Sequence, residues 1–353
     1  MTQNFRIALL PGDGIGPEVV GQAVRVLEAA QSRAGDFALD MVSLPWGADY
    51  YRLTGSLAPD DFLDVLRGFD AILLGALGDP ARMPDHLTLA PLIRIRQAFD
   101  QYANIRPARL YPGLRSVLAG KGPEHIDLIV LRENSEGEYV DSGGRFHPHS
   151  PEEFALQTAI HTRRGIERIL RFGFDLARPR RKHLTMATKS NAQRYAFVLW
   201  DEILEEVRQE YPDVVVDKQH VDALCLNMVN APELFDVIVG SNLFGDILSE
   251  IGGLLGGGLG LAPSANLNPA RAYPSMFEPV HGSAPDIAGA GIANPIGTIL
   301  SAAMMLDWLG LGDAAQRVRT SVAKTLASGV GTPDLGGFAS TTELTDHIIG
   351  HMR

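Results

Sequence analysis

The chain carries a single cysteine among its 353 residues, and it has no long apolar segment, no internal repeat and no low-complexity stretch. One cysteine excludes an internal disulfide. Because Cys225 lies between Leu224 and Leu226, we expect it to be a small buried apolar residue. The longest apolar stretch, 251–262, includes six glycines and is too short to span a bilayer. No apolar secretion signal precedes Pro11. We therefore expect a cytoplasmic protein without a membrane partner.

Basic residues are fewer than acidic ones, with 31 lysines and arginines against 42 aspartates and glutamates. The formal net charge is -11 and the isoelectric point is about 5.4, whereas a nucleic-acid binder needs a basic face. We therefore expect no nucleic-acid partner. The hydrophobic fraction of 45% and the charged fraction of 21% are those of an ordinary folded protein. A chain of 353 residues is long for one hydrophobic core, which favours two domains.

The chain does contain short apolar runs that alternate with longer amphipathic ones. The clearest cases are 7–10 followed by 18–30, and 184–187 followed by 192–210. This alternation predicts an α/β fold with a mostly parallel sheet and helices on both faces. In such a sheet, ligands bind near the carboxyl ends of the strands.

Two acidic side chains stand one helical turn apart in the segment 242–250, which reads NLFGDILSE. If this segment is a helix, Asp246 and Glu250 share one of its faces. A third acid, Asp222, follows the apolar run 214–216, from which a parallel sheet could bring it to the same place. Three hard oxygen donors suit Mg²⁺ or Mn²⁺. The alternative is that the acidic pair simply faces solvent.

A glycine-rich segment at 11–18, PGDGIGPE, follows the first apolar run. It resembles a dinucleotide-binding fingerprint, but its glycines run G-x-G-x-G, and Pro17 follows the last of them. Pro17 and Glu18 suit the first turn of a helix, and the glycines allow a ligand to approach the backbone closely. We interpret Asp13, Gly14 and Ile15 as a loop at the edge of a cofactor site that is not a standard Rossmann site.

Arg96, Arg106 and Arg132 are candidates for binding a carboxylate, because a guanidinium group can donate two parallel hydrogen bonds to one. Tyr139 and Lys189 are the available proton carriers, since a lysine in a crowded cationic pocket can act as a base near neutrality. Each of these residues alone is more typical of a protein surface. Together with the acids they predict a site for a small dicarboxylate.

Three further motifs are Asn104–Pro107 (NIRP), Arg132–Asn134 (REN) and Glu278–Asp286 (EPVHGSAPD). With 11–18 and 242–249, they resemble the metal-dependent β-hydroxyacid oxidative decarboxylases, the isocitrate and isopropylmalate dehydrogenase family, over nearly the whole chain. The resemblance implies a two-domain isopropylmalate dehydrogenase-like fold. Residues 1–103 and 255–353 would form the nucleotide-binding domain, and 104–254 a central domain for substrate, metal and dimerisation.

The same resemblance implies roles for single residues in a homodimer whose Lys189 and Asp222 act across the interface. Tyr139 would be the proton donor, and Lys189 and Asp222 would serve in catalysis. Substrate would be held by Arg96, Arg106, Arg132 and Asn191, and metal by Asp222, Asp246 and Glu250. Family members commonly have aspartate where this chain has Glu250, so water could mediate that contact. The cofactor residues would be Asp13, Gly14, Ile15, Glu278, His281, Gly282, Ser283, Ala284, Asp286, Ile287, Asn294 and Asp334.

The resemblance also indicates which cofactor and which substrate the protein uses. A carboxylate at Asp286, beside the adenosine ribose, would accept hydrogen bonds from free hydroxyls and repel a 2'-phosphate, which favours NAD over NADP. The other cofactor expected is Mg²⁺ or Mn²⁺. A monovalent cation is an additional candidate. The segment 87–96 lacks the glutamate and leucine pair expected in isopropylmalate enzymes and the serine and asparagine expected for isocitrate.

The remaining motifs are most similar to the tartrate and D-malate dehydrogenase group. The segments that carry this similarity are 46–51, 99–102 and 273–277. We expect NAD- and metal-dependent oxidation and decarboxylation of a small 2-hydroxy dicarboxylic acid. One alternative is 3-isopropylmalate dehydrogenase, and a more remote one is a dinucleotide or metabolite sensor without catalysis.

Overall fold

The computed structural model describes residues 2–352. Its strands are β1 (Gln3–Gly12), β2 (Phe37–Ser43), β3 (Ala71–Ala76), β4 (Ala103–Arg109), β5 (Asp127–Glu133), β6 (Gly143–Phe146), β7 (Phe154–Gln157), β8 (His183–Thr188), β9 (Val215–His220), β10 (Val237–Gly240), β11 (Pro263–Leu267) and β12 (Ser275–Pro279). Its α-helices are α1 (Gly16–Ala34), α2 (Ala48–Thr54), α3 (Phe62–Leu66), α4 (Ala90–Ala98), α5 (Arg163–Ala177), α6 (Ala196–Val207), α7 (Val221–Asn230), α8 (Asn242–Leu255), α9 (Ile296–Trp308), α10 (Gly312–Ala327) and α11 (Thr341–His351).

In the described part of the chain, ten strands form one sheet in the order β2-β1-β3-β12-β11-β4-β5-β10-β8-β9, and β6 and β7 form a separate hairpin. Most neighbours are parallel, which confirms the predicted mostly parallel α/β fold. At the centre, β11 is antiparallel to β12 and β4, and β4 is antiparallel to β5. The two sides of the sheet therefore run in opposite directions, which the alternation of apolar runs did not indicate.

This central reversal corrects the expectation that every site residue meets at the carboxyl ends of parallel strands. Arg106 lies inside β4 opposite Val130 of β5, and Glu278 lies inside β12. Directly opposed residues of antiparallel strands share a face of the sheet, as do residues two apart on one strand. Arg106 and Arg132 therefore point from the same face, and the site lies over the sheet centre.

Helices cover both faces, as the alternation of side chains along β5 shows. Leu128 and Val130 pack beside Gly252 of α8, whereas Leu131 packs beside Gly173 of α5. Because successive residues of a strand point to opposite faces, α8 and α5 lie on opposite sides of the sheet. The glycines allow close packing, since an added Cβ at Gly173 would lie 2.7 Å from a methyl group of Val239 and within 3.3 Å of Leu184 and Leu131.

Some predicted boundaries were wrong. β9 continues from Val215 through polar residues to His220, because it is the edge strand and needs no apolar sequence. The predicted helix 192–210 begins only at Ala196, and 208–210 is a 3-10 turn. The segment 87–96, for which no element was predicted above, begins at the end of a 3-10 turn, Asp85–Leu87, and includes most of α4. Cys225, on α7, is half-buried rather than buried.

Strands β1, β2, β3, β11 and β12 come from the two ends of the chain, and the remaining strands from its middle. The division into domains at 103 and 254 stays a prediction. No helix within residues 2–352 combines the length and apolar character that crossing a membrane would require.

Candidate functional site

A cavity of about 180 Å³ opens on the α8 face of the sheet. It is lined by the three predicted arginines, Tyr139 and two of the predicted acids, together with three residues of the cofactor-binding prediction. The structure thus brings together predicted residues that are up to 186 positions apart in sequence, from Arg96 to Gly282. The predicted residues that line the cavity are Arg96, Arg106, Arg132, Tyr139, Asp246, Glu250, Glu278, His281 and Gly282.

Helix α8 delivers the two acids of the cavity. Its N-terminus is capped by Ser241, whose hydroxyl accepts a hydrogen bond from the Phe244 amide. At Gly245 the helix passes so close to β5 that an added Cβ would lie 2.6 Å from Cβ of Arg132. This close approach places Asp246, the next residue, against the Arg132 guanidinium. Glu250 follows one turn later on the same face.

The two acids differ in their surroundings. Burial alone would raise the pKa of Asp246, but Arg132 and Arg106 outweigh burial and hold that pKa below its ordinary value. Burial raises the pKa of Glu250, where the effect of Arg106 is smaller and Asp246 adds repulsion. A cation between the two carboxylates would relieve that repulsion, so their chemistry fits a divalent metal ion.

The arginines form two buried groups. Arg132 donates to Oδ1 of Asp246, and Nη1 of Arg106 donates to the same oxygen at 3.1 Å. Arg96 donates from Nη2 to Oε1 of Glu278 at 2.7 Å. All three arginines are at most 8% exposed, and burial lowers the pKa of Arg132 and of Arg106. Guanidinium groups held this firmly suit the recognition of a planar carboxylate.

Tyr139 reaches the same aspartate from the opposite side. Its hydroxyl donates a hydrogen bond to Oδ2 of Asp246 at 2.8 Å, and the Arg132 guanidinium lies 5.2 Å from the centre of its ring. Burial and the Asp246 carboxylate raise the pKa of Tyr139 to about 12. The phenol therefore keeps its proton at neutral pH, as a proton donor must.

Two glutamates hold the loop that carries Tyr139, and sequence reasoning missed both. The Glu138 carboxylate accepts hydrogen bonds from the Ser241 hydroxyl and the Leu243 amide at the start of α8. The Glu136 carboxylate accepts from the amide and hydroxyl of Thr162 at the start of α5. The concentration of glutamates in 132–139, RENSEGEY, was the available signal. Carboxylates are favoured at helix N-termini.

The glycine-rich loop 12–16 packs against the loop that begins at His281. The Ile15 amide donates to the Ser283 carbonyl at 2.8 Å, and an added Cβ at Gly14 would lie 2.0 Å from that oxygen. The Asp13 carboxylate accepts from the amides of Ala48 and Gly78 and is therefore occupied in joining loops. These contacts bring the predicted cofactor residues at both ends of the chain together.

The other predicted cofactor residues lie on or beside this second loop. His281 lines the cavity, its buried Nε2 has no hydrogen-bond partner, and burial lowers its pKa, so the ring is neutral. An unpartnered polar atom at this position fits a polar ligand such as a dinucleotide. Asn294 donates to Asp334 at 3.0 Å, whereas Asp286 is exposed.

Lys189 and Asp222 are not part of the cavity in one chain. They contact each other at 2.6 Å, and the Asp222 side chain is 69% exposed. Asn191, next to them, is also exposed. Within residues 2–352 of a single chain, no three His, Cys, Asp or Glu side chains approach closely enough to hold a metal ion. The sheet therefore does not unite Asp222 with Asp246 and Glu250, and their union across two chains stays a prediction.

Comparisons with known proteins agree with this arrangement. The sequence model of the isocitrate/isopropylmalate dehydrogenase family matches residues 6–348. A probable tartrate dehydrogenase/decarboxylase of Agrobacterium vitis is 51% identical over 348 residues, covering 98% of this chain and 97% of that protein. D-malate dehydrogenase (decarboxylating) of Escherichia coli is 50% identical over 356 residues, covering 99% of this chain and 98% of that protein.

Among solved structures, isocitrate dehydrogenase from Methylococcus capsulatus matches with a TM-score of 0.89 at 37% identity, covering 99% of each chain. The match extends over both sides of the sheet and all of the cavity, since it covers nearly the whole chain. Sequence and structure thus agree, and this chain belongs to the isocitrate/isopropylmalate dehydrogenase family.

Proposed function

We propose that this protein oxidises and decarboxylates a small 2-hydroxy dicarboxylic acid, with tartrate and D-malate as the first candidates, using NAD and a divalent cation. The observation that carries the proposal is the single cavity that joins three buried arginines, Tyr139 and the acidic pair of α8. The names of the two relatives at about half identity support the same reaction.

The charges around the cavity support a dianionic substrate. Three guanidinium groups, of Arg96, Arg106 and Arg132, line it together with three carboxylates, of Asp246, Glu250 and Glu278. A divalent cation would leave two positive charges in excess. A dicarboxylate would cancel them, which favours binding of cation and substrate together. A monocarboxylate would leave a charge uncompensated in a largely buried site.

Separate residues of this chain would bind the substrate, accept its hydroxyl proton and donate a proton to the product. When bound, NAD would take the hydride from the carbinol carbon, and a divalent cation would draw electron density from the adjoining oxygen. Arg96, Arg106 and Arg132 hold the two substrate carboxylates, and Lys189 accepts the proton of the substrate hydroxyl. The carbon–carbon bond to the β-carboxylate then breaks, carbon dioxide leaves, and the bonding pair forms an enolate, whose carbon takes up one proton in the next step. Tyr139 donates its proton to the enolate carbon, which gives a 2-keto acid.

A second copy of the chain is needed if Lys189 and Asp222 are to take part. On α7 and α8 several aliphatic side chains are exposed: Leu226 by 69%, Val229 by 44%, Ile247 by 47% and Leu254 by 54%. Leu226 follows Asp222 by one helical turn, and Ile247 follows Asp246 directly. Burying this apolar surface against the same surface of a second copy would form a symmetric homodimer. Asp222 and Lys189 would then lie beside the neighbouring subunit's cavity.

NAD is the proposed dinucleotide. The exposed Asp286 carboxylate follows the loop whose backbone packs against Gly14 and Ile15. At the adenosine ribose it would accept hydrogen bonds from the hydroxyls and repel a 2'-phosphate. The prediction is a higher kcat/KM for NAD than for NADP at equal substrate concentration.

The experiment that tests the function is a substrate panel of tartrate, D-malate and 3-isopropylmalate with NAD and Mn²⁺, measured by NADH absorbance and carbon dioxide release. Turnover of a C4 acid supports the proposal. Preference for 3-isopropylmalate would favour the alternative of a 3-isopropylmalate dehydrogenase, and NAD binding without turnover of any acid would favour a sensor.

A further inference from the structure

We propose that Asn242 is a positioning residue for this reaction, which sets the orientation of the Arg132 guanidinium and the Tyr139 loop with a single amide group. The inference rests on the proposed function, because it concerns how that site is assembled. Asn242 is the first residue of α8, and it is 4% exposed. It lies one helical turn before Asp246 on the same face of the helix.

The amide oxygen of Asn242 fixes one edge of the guanidinium. Oδ1 accepts hydrogen bonds from Nε of Arg132 at 2.9 Å and from Nη2 at 2.7 Å. Nη1, on the far side, donates to Asp246. A guanidinium has five N–H groups, so one N–H on each terminal nitrogen remains for a substrate carboxylate. Asn242 and Asp246 thus hold Arg132 from two points on one helix face.

The amide nitrogen of Asn242 fixes the Tyr139 loop. Nδ2 donates to the Glu136 carbonyl at 2.7 Å. The next residue, Gly137, has φ of +82°, and an added Cβ there would lie 3.0 Å from Cβ of Asn242. Glycine is therefore favoured where the loop turns against Asn242. Two residues further on, the Tyr139 hydroxyl bonds to Asp246, which closes a ring of contacts around the cavity.

Only an amide side chain can both accept hydrogen bonds from Arg132 and donate one to the Glu136 carbonyl. An aspartate would keep the acceptor for Arg132, but its second oxygen would repel the Glu136 carbonyl. It would also cancel the Arg132 charge that a substrate carboxylate needs. Apolar residues would leave buried donors and an acceptor unpaired. A neutral group that accepts from Arg132 therefore orients the cation without neutralising it.

The test compares Asn242→Asp and Asn242→Ser with the wild-type protein and with a control, Asn4→Asp, at an exposed residue of β1. Three quantities are measured: KM for the hydroxy acid that the wild-type protein oxidises, Kd for succinate by calorimetry, and the ratio of NADH to final 2-keto acid. Succinate has no hydroxyl group, so it reports carboxylate binding without turnover. Melting temperatures show which variants are folded at the assay temperature.

We expect both Asn242 variants to raise KM and the succinate Kd by about tenfold or more. Serine would lose hydrogen bonds to the charged Arg132. Aspartate would keep them but offset the Arg132 charge that a substrate carboxylate needs. We also expect the ratio of NADH to 2-keto acid to rise, as we expect for Tyr139→Phe, because the proton donor is displaced. Asn4→Asp should leave all three quantities unchanged.

A lower melting temperature with unchanged KM, succinate Kd and product ratio would show a merely structural role and overturn the inference. A wild-type protein that binds succinate in an Asn242-dependent way but never reduces NAD would instead overturn the proposed reaction while leaving the Arg132 orientation standing. A wild-type protein that neither binds succinate nor oxidises any hydroxy acid would overturn both.

Discussion

The hydroxyl of Tyr139 donates a hydrogen bond of 2.8 Å to Oδ2 of Asp246, while Oδ1 of the same aspartate accepts from Arg132 and Arg106. One carboxylate therefore links the proposed proton donor to two of the proposed substrate-binding groups. Asp246 can do so because Gly245 lets α8 approach β5 at Arg132.

Replacing Tyr139 by Phe should separate the two stages of the reaction. The ring would keep its packing against Arg132, but the proton held at a pKa of about 12 would be gone. We expect formation of the decarboxylated 2-keto acid to fall by about 100-fold or more, as for loss of a general acid, with a smaller loss in NADH formation. Stopped-flow absorbance and product quantification measure both. An equal loss in the two stages would contradict the proton-donor role.

Replacing Glu250 by Gln should weaken divalent-metal binding. Burial, together with repulsion from Asp246, raises the pKa of Glu250, so a cation beside the two carboxylates would be favoured. We expect about a 10- to 100-fold higher Kd for Mn²⁺, measured from the free-ion signal in electron paramagnetic resonance. Glu250→Asp is the matched control, since it restores the residue common in the family, and its Kd should stay near that of the wild-type protein. Unchanged Mn²⁺ affinity in Glu250→Gln would exclude Glu250 from the metal site.

Mixing two inactive variants should restore activity if each active site uses residues from both chains. Lys189→Ala and Asp246→Asn would each inactivate both sites of a homodimer. In a statistical mixture formed by refolding together, half of the dimers combine the two chains and contain one intact site. We therefore expect about a quarter of wild-type activity. Absence of recovery, with mixed dimers present by native mass spectrometry, would place Lys189 and Asp246 in the same site of one chain.

Glu133 should make stability depend on pH. Burial, despite hydrogen bonds from Ser135 and Glu136, raises its pKa from 4.5 to about 7. Between these values the folded state binds more protons than the unfolded state, so the free energy of unfolding falls as pH rises. Glu133→Gln removes this effect and should gain about 3 kcal/mol relative to the wild-type protein between pH 4.5 and 7. Urea unfolding at several pH values measures the gain, and a difference independent of pH would contradict it.

The sequence predicted which residues belong to the site better than it predicted how the strands that carry them are paired. The α/β class, the acidic pair on one helix and the cationic set could be predicted, because helical spacing and buried apolar runs are local patterns. The antiparallel strands β11 and β4 at the sheet centre could not, since their direction depends on pairing between residues about 160 positions apart, such as Ile105 and Ala265. The position of Arg106 on the sheet face depends on that pairing.

The supporting residues were missed for the same reason. Asn242 lay inside a quoted motif, but its contacts with Arg132 and Glu136 span more than 100 positions and leave no periodic pattern. For Asp222, the sequence suggested a contact that a single chain does not make. Its position after a strand suggested a place beside Asp246, but β8 separates β9 from β10 in the sheet.

The proposed reaction requires the cavity to act as a metal-dependent site for a dicarboxylate. The most direct test is NADH formation by the purified protein with NAD and tartrate or D-malate, before and after removal of divalent cations by a chelator. We predict turnover that is lost with the chelator, returns with Mn²⁺ and is accompanied by carbon dioxide. Turnover that persists without divalent cations, or no turnover of either acid with Mn²⁺ present, would contradict the account.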